Sequence, residues 1–359
     1  MASLSALFLN KIGDYFLLLA LILAIGLSSD FSLITLFTLI PYYHPDLIFI
    51  FTLTIIGCSS AKSALIPLHT WLPKAKEGPT SVSALLHSST KVTAGVYLLK
   101  RISPILEFSS TGLKIIIWLG KLGALGGAAC GMIDNDIKRV IAKSTTSQLG
   151  YMIVAIGLSQ YNLAIFHLFT HAFFKSLLFL SSGAILHACL DNQDIRKKGS
   201  FILFLPLTYL VFFFSSLSLM AFPFTSGWYS KDLLIELLIL PYNFSFSIAY
   251  LFTLLAAFLT SFYSIRLMMI VKFSRPNFPK TIIPIITDSP LKKTFPLILL
   301  SFCAIGIGYF SHQFFLGYGA SCDMFIHPSS LNNLLDSSNF DSLLIYLPLS
   351  FLFLFNFLW

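Results

Sequence analysis

Charge is what this sequence has least of. Only 11% of its 359 residues are Asp, Glu, Lys or Arg, against about 25% in a soluble domain. That scarcity excludes an ordinary water-soluble fold, which needs charged side chains on the surface it shows to water. Carboxylates are the rarer sign, 15 against 23 Lys and Arg. Cysteine is scarce too. Cys58, Cys130, Cys189, Cys303 and Cys322 are scattered and never spaced C-x-x-C, so neither an iron–sulfur nor a zinc framework is indicated and no disulfide pairing can be inferred. The first ten residues lack a basic stretch, and no small-residue cleavage site follows, so no cleavable signal peptide is expected. The net charge of +8 is spread along the chain and forms no nucleic-acid patch.

What is present is apolar. Hydrophobic residues make up 56% of the chain, Phe alone accounts for 37, and the mean hydropathy is +0.84. The sequence predicts an all-α integral membrane protein, a single membrane domain of about ten spans. These fall near 13–28, 47–70, 80–100, 112–133, 138–158, 161–189, 203–240, 245–272, 294–311 and 342–359. The first reads as short for a full span, and 31–40 as interfacial. With alternating loops, one side holds thirteen Lys and Arg, from Lys11 through Lys74, Lys138, Arg196 and Lys272 to Lys293. The other holds little beyond Lys100, Arg101 and Lys114. The basic side should face the cytoplasm or its mitochondrial equivalent, the matrix. Loops 71–79, 134–139 and 191–200 are expected there, and 101–111 and 312–341 on the opposite side.

The run Asn162 to Leu190, NLAIFHLFTHAFFKSLLFLSSGAILHACL, is long enough to cross a bilayer yet carries His167, His171 and Lys175. At about 100° per residue these three make one polar stripe on an apolar cylinder. Ionisable groups at membrane depth normally face protein or a wet cavity, where they handle ions or protons. Hydrogen bonding to neighbouring helices is the structural alternative. A metal site is disfavoured, because no Cys or carboxylate stands nearby to complete the ligand set.

The second and seventh spans share an irregularity. Lys62 lies in GCSSAKSALIP with Pro67 just beyond, and Lys231 lies in PFTSGWYSKD after Pro223 and Gly227. Proline and glycine open a helix, and an opened helix at membrane depth is tolerated only beside protein or water. Two interrupted helices with a lysine at each suggest a duplicated, transporter-like bundle. Between them, His87 sits inside the third span with Lys91 one turn on. Asp134-Asn135-Asp136 reads as a solvated connector, Ser144 to Gln148 as a stretch able to bond across helices, and Asp14 as a carboxylate near a helix start.

The runs AKSALIPLHTWLPKAKEGPTSVSALLHSST, DIKRVIAKSTTSQLGYM, HLFTHAFFKSLLFLSSGAILH, QDIRKKG and GWYSKD resemble the subunit 5 family of NADH:ubiquinone oxidoreductase, respiratory complex I, in its mitochondrial form. The large subunits of multi-subunit cation/proton antiporters share that fold. The resemblance extends from about Lys11 to Arg266. It implies an inverted-repeat bundle, with 1–101 a partial first repeat, 112–272 a second repeat and 273–359 C-terminal helices. It also implies a proton relay along a hydrophilic axis, carried over residue by residue onto Asp14, Lys62, His87, His167, His171, Lys175 and Lys231. No cofactor is implied in this chain, since FMN and iron–sulfur clusters belong to other subunits. The implied location is the mitochondrial inner membrane, among other membrane-arm subunits, including chain 4, and lipids such as cardiolipin. The family's first helices, its glutamate partner for the lysine at position 62 and its C-terminal lateral helix have no counterpart, and Lys91 stands where methionine is usual. A separate polypeptide supplying those helices and the glutamate is therefore expected. The alternatives are a sodium/proton antiporter subunit, or a scaffold piece whose relay is inactive.

Overall fold

The computed structural model describes residues 2–28, 32–238, 244–272, 288 and 290–317. Fifteen α-helices occur among them. The first seven are α1 (Ala2–Ser28), α2 (Leu33–Leu39), α3 (Pro45–Lys62), α4 (Trp71–Lys74), α5 (Thr80–Ser88), α6 (Thr93–Arg101) and α7 (Ser103–Glu107). Then come α8 (Ser110–Ile133), α9 (Ile137–Gly157), α10 (Tyr161–Ala188), α11 (Phe201–Phe204), α12 (Pro206–Met220), α13 (Ser226–Leu237), α14 (Phe244–Lys272) and α15 (Leu291–Leu316). Six of these are long and apolar enough to cross a membrane: α1, α3, α8, α10, α14 and α15. The last expected span, 342–359, lies outside the described residues.

Local chemistry starts several of the helices. Ser32 and Ser109 accept backbone N–H groups at the beginnings of α2 and α8, each at 3.2 Å. Pro45 and Pro206 occupy first-turn positions, where a missing N–H costs nothing. The two expected interruptions are present. After Lys62 the chain leaves the helix until Trp71, with Ala64 in the left-handed region at φ 50°. Between Met220 and Ser226 it opens again, with Ala221 and Phe224 at φ 63° and 66° around Pro223.

Two helix assignments need correction. The third span is not continuous: residues 89–92 separate α5 from α6, so the bundle has a third break, and Lys91 stands in it. Ser63 Oγ donates to the Val92 carbonyl at 2.9 Å and so ties the first break to the third. The first helix is also longer than expected. It begins at Ala2, so Asp14 lies near its middle and does not act on a helix start.

The central element is α10, which packs against α5, α9, α12, α13 and α15. Beside it, α8 and α9 make a close pair whose contact surface is built of small residues. A Cβ on Gly120 would lie 2.7 Å from the Val154 nitrogen, and one on Gly127 would lie 2.7 Å from the Ser147 nitrogen. From α9, Gly150 abuts the Ala124 backbone. Small residues let helix backbones approach where lipid offers no hydrophobic drive. The α8–α9 turn is held from α14 by Arg266, which donates to the carbonyls of Met132 and Asp134 and to Asn135 Oδ1 at 2.7 Å.

That turn is not the solvated connector expected. Asp136 pairs with Asp194 in an isolated antiparallel bridge, with Ile137 N donating to Gln193 O at 3.1 Å and Ile195 N to Asn135 O at 2.8 Å. Asp134 holds Lys143 at 2.6 Å and Asp136 holds Arg139 at 3.3 Å. Buried or half-buried carboxylates need such partners, and here they find them.

Candidate functional site: a buried row of lysines and histidines

On α10 the three stripe residues are completely buried: His167, His171 and Lys175 all show 0% exposure. Each meets a different neighbour. Lys175 Nζ donates to Ser144 Oγ on α9. His167 is held at both ring nitrogens, Nδ1 by Ser230 Oγ of α13 at 2.9 Å and Nε2 by Gln148 Oε1 of α9 at 3.1 Å. Ser230 also meets Thr170 Oγ1 at 3.0 Å. Between these two anchored groups, His171 bonds to no side chain among the described residues and has only the Ser88 backbone of α5 within reach. Its ring centroid stands 6.4 Å from that of His167.

The row continues at both ends. Lys231, 1% exposed, donates to Thr260 Oγ1 on α14 at 2.8 Å and lies over the Tyr151 ring at 5.3 Å. His167 lies within electrostatic reach of Lys231. At the other end, His87 is buried on α5 and stacks on Phe179 at 5.8 Å. The charges within its reach are Lys91 and Lys175. The row therefore runs Lys231, His167, His171, Lys175, His87 across three helices, α13, α10 and α5.

Lys62 and Asp14 sit apart from this buried row, at the chain's surface. Asp14, the nearby carboxylate that the sequence offered Lys62, meets it at 2.5 Å from α1. The length of α1 explains the pairing, because a full helix carries Asp14 alongside the end of α3. Lys91 lies within electrostatic reach of both and stacks over Trp71 at 4.9 Å. It links the surface pair to His87. Lys11 is also within reach of Asp14, so three lysines surround one carboxylate and basic groups outnumber acidic ones in the cluster. A cavity of about 440 Å³ opens beside the first break, lined in part by His69, Lys74, Glu77, Arg139 and Lys143.

Several polar groups at the site were not singled out by sequence reasoning. Ser230, Thr260 and Tyr151 belong to ordinary helical stretches and matter only through packing. Asp232 and Glu236 follow Lys231 on α13, and Asp232 is the carboxylate within its electrostatic reach. Their i, i+4 spacing after a helix-break lysine was the available signal. Among the described residues no cluster of His, Cys, Asp and Glu is arranged to hold a metal.

Comparison with known proteins places this arrangement. The profile described as "NADH:quinone oxidoreductase/Mrp antiporter, TM" matches residues 1–263. The chain belongs to that family. It is 45% identical to NADH-ubiquinone oxidoreductase chain 5 of Cryptococcus neoformans over 92% of its length, covering 50% of that protein. The same-named protein of Rhizopus stolonifer is 46% identical over 91% of the chain, with 51% of the relative covered. The chain thus spans about half the length of the curated relatives it matches. Among solved structures, the "Structure of Mrp complex from Dietzia sp. DQ12-45-1b" superposes with a TM-score of 0.78 at 23% identity. That superposition covers 99% of this chain and 39% of the other, a likeness of fold. The membrane-embedded, antiporter-like all-α architecture read from the sequence is the architecture of this family.

Proposed function

We propose that the chain is a proton-translocating piece of the membrane arm of an NADH:ubiquinone oxidoreductase, seated in the mitochondrial inner membrane. The observation that carries this reading is the buried row from Lys231 through His167, His171 and Lys175 to His87. Fully buried ionisable groups are costly in a membrane and are retained where they serve transport. Desolvation drives a lysine to release its proton, and an approaching carboxylate drives it to keep one. Lys62, Lys175 and Lys231 are the switching sites in this scheme. His87, His167 and His171 carry protons between them, a task suited to a side chain whose ordinary pKa is about 6.5. Asp14 is the carboxylate paired with Lys62.

Electron transfer belongs to other subunits carrying FMN and iron–sulfur clusters, and this chain's side chains move protons. The 45% identity to chain 5 proteins supports placement among membrane-arm subunits such as chain 4, with cardiolipin-type lipids around them. The surface position and positive excess of the Lys62, Asp14 and Lys91 cluster support a second polypeptide bringing a membrane-embedded glutamate to it.

The test is Lys175→Ala in the intact membrane assembly. NADH-driven proton pumping should be lost, and coupled NADH oxidation should fall, with the assembly present in normal amount. Normal pumping in the variant would remove Lys175 from the mechanism. Sodium-dependent proton exchange without NADH oxidation would transfer the chain to the antiporter branch of the family.

A further inference from the structure

A second buried lysine lies outside the row. Lys121 is the twelfth of the 24 residues of α8 and is 0% exposed. Its ammonium sits over the Trp118 ring, 2.9 Å from the centroid, with the Phe252 ring of α14 at 5.5 Å. Nζ has no hydrogen-bond partner among the described residues. The helix that carries it and the two that pack most closely on that helix offer none of opposite charge, because α8, α9 and α14 contain no Asp or Glu at any position; the carboxylates of its other neighbours, Asp46 and Glu107, stand at helix ends. Aromatic faces attract a cation but do not replace a counter-charge at membrane depth.

The surroundings of Lys121 face outward. Gly120 turns toward α9, where it meets Val154. The other flank, formed by Trp118 and Leu122 of α8 and by Leu251 and Leu255 of α14, is exposed, from 41% at Leu122 to 56% at Leu251. One indole, itself 43% exposed, separates the ammonium from whatever lies against this face.

We propose that the α8/α14 face docks a membrane-spanning helix of another polypeptide, and that an Asp or Glu on that helix pairs with Lys121 beneath the rim of Trp118. Depth selects this partner over a lipid headgroup. At about 1.5 Å per residue, Lys121 stands roughly 17 Å from either end of α8, near the middle of a hydrocarbon layer about 30 Å thick. A four-carbon lysine stem covers only a fraction of that distance, so interfacial phosphates lie out of reach. A carboxylate carried on a helix is the anion that can arrive at this height. The inference is independent of whether the buried row pumps protons.

Dicyclohexylcarbodiimide applied to the intact assembly in its native membrane tests the pairing. The reagent activates a carboxylate in apolar surroundings, a neighbouring lysine amine displaces the urea, and an amide remains for mass spectrometry to locate. The expected product joins Lys121 to an Asp or Glu of a different membrane helix, and Lys62 with Asp14 supplies an internal control. Lys121→Met should abolish the product and release most of the partner on mild detergent extraction, and Lys121→Arg should retain the partner. Coupling at Lys62 with none at Lys121 overturns the proposal. So does a Lys121→Met assembly that keeps its full complement of subunits. Should Lys121→Met fail to accumulate, the coupling pattern of the unaltered protein decides.

Discussion

Lys62 and Asp14, 48 residues apart in sequence, close an ion pair of 2.5 Å between the end of α3 and the middle of α1. The pair fixes the last turn of a helix that stops at Lys62. Asp14→Asn and Lys62→Met should each lower the melting temperature of the assembly, and the double variant should lose less than the two single losses combined. The coupling is expected at about 1 kcal/mol, since both side chains are partly exposed. Strict additivity in a double-mutant cycle would show that the contact contributes nothing.

Gln148 and Ser230 clamp the His167 ring from two helices. Gln148→Leu leaves one ring nitrogen buried without a partner, a cost of about 1–3 kcal/mol. Proton-pumping turnover should fall several-fold, with normal assembly and a normal rate of electron transfer in uncoupled membranes. An unchanged pumping rate would mean that the orientation of His167 is irrelevant to transport.

In the loop between α10 and α11, burial pushes the Lys198 ammonium down to about 8, against opposition from Cys189 and Asp194. Between that value and the ordinary 10.5, the unfolded loop holds a proton that the folded loop has lost. Rising pH across this window therefore favours the folded loop, and falling pH toward 8 removes the gain. Proteolysis within 191–200 should slow as pH rises from 8 to 10, after correction for the protease's own pH profile. Lys198→Met should flatten that dependence.

The distribution of lysine and arginine sets an orientation. Single cysteines placed in 71–79, 134–139 and 191–200 should react with an impermeant thiol reagent only from the matrix side, and those in 101–111 only from the other. The opposite labelling pattern would invert the membrane topology and exchange the proposed entry and exit sides.

Much of this arrangement was legible in the chain. His167, His171 and Lys175 announce a shared helix face by spacing alone, and Pro67, Pro223 and Gly227 mark two of the breaks. The third break escaped because Ser89-Thr90-Lys91-Val92 contains neither proline nor glycine; Ser63, bonded to the Val92 carbonyl, engages it from the first break. Asp14 was legible as a carboxylate near Lys62, but its place in the middle of α1 was not, because the residues upstream of Lys11 gave no sign that the helix begins at Ala2. Lys121 reads in sequence as an isolated cation in an apolar run. Only the packing of α14 shows that it is covered and that no carboxylate stands nearby.

The close seam between α8 and α9 limits how any switch in this bundle can operate. With backbone against backbone at Gly120, Gly127 and Gly150, sliding or rotating α9 against α8 would force atoms into overlap within a fraction of a turn. Ser144 and Gln148 thus ride on a stator. Any rearrangement around Lys175 and His167 is then left to their own side chains, to water and to helices other than α8 and α9. Helix displacements take microseconds to milliseconds. The slow step of a transport cycle would then lie outside this pair, in the broken segments of α3 and α12–α13.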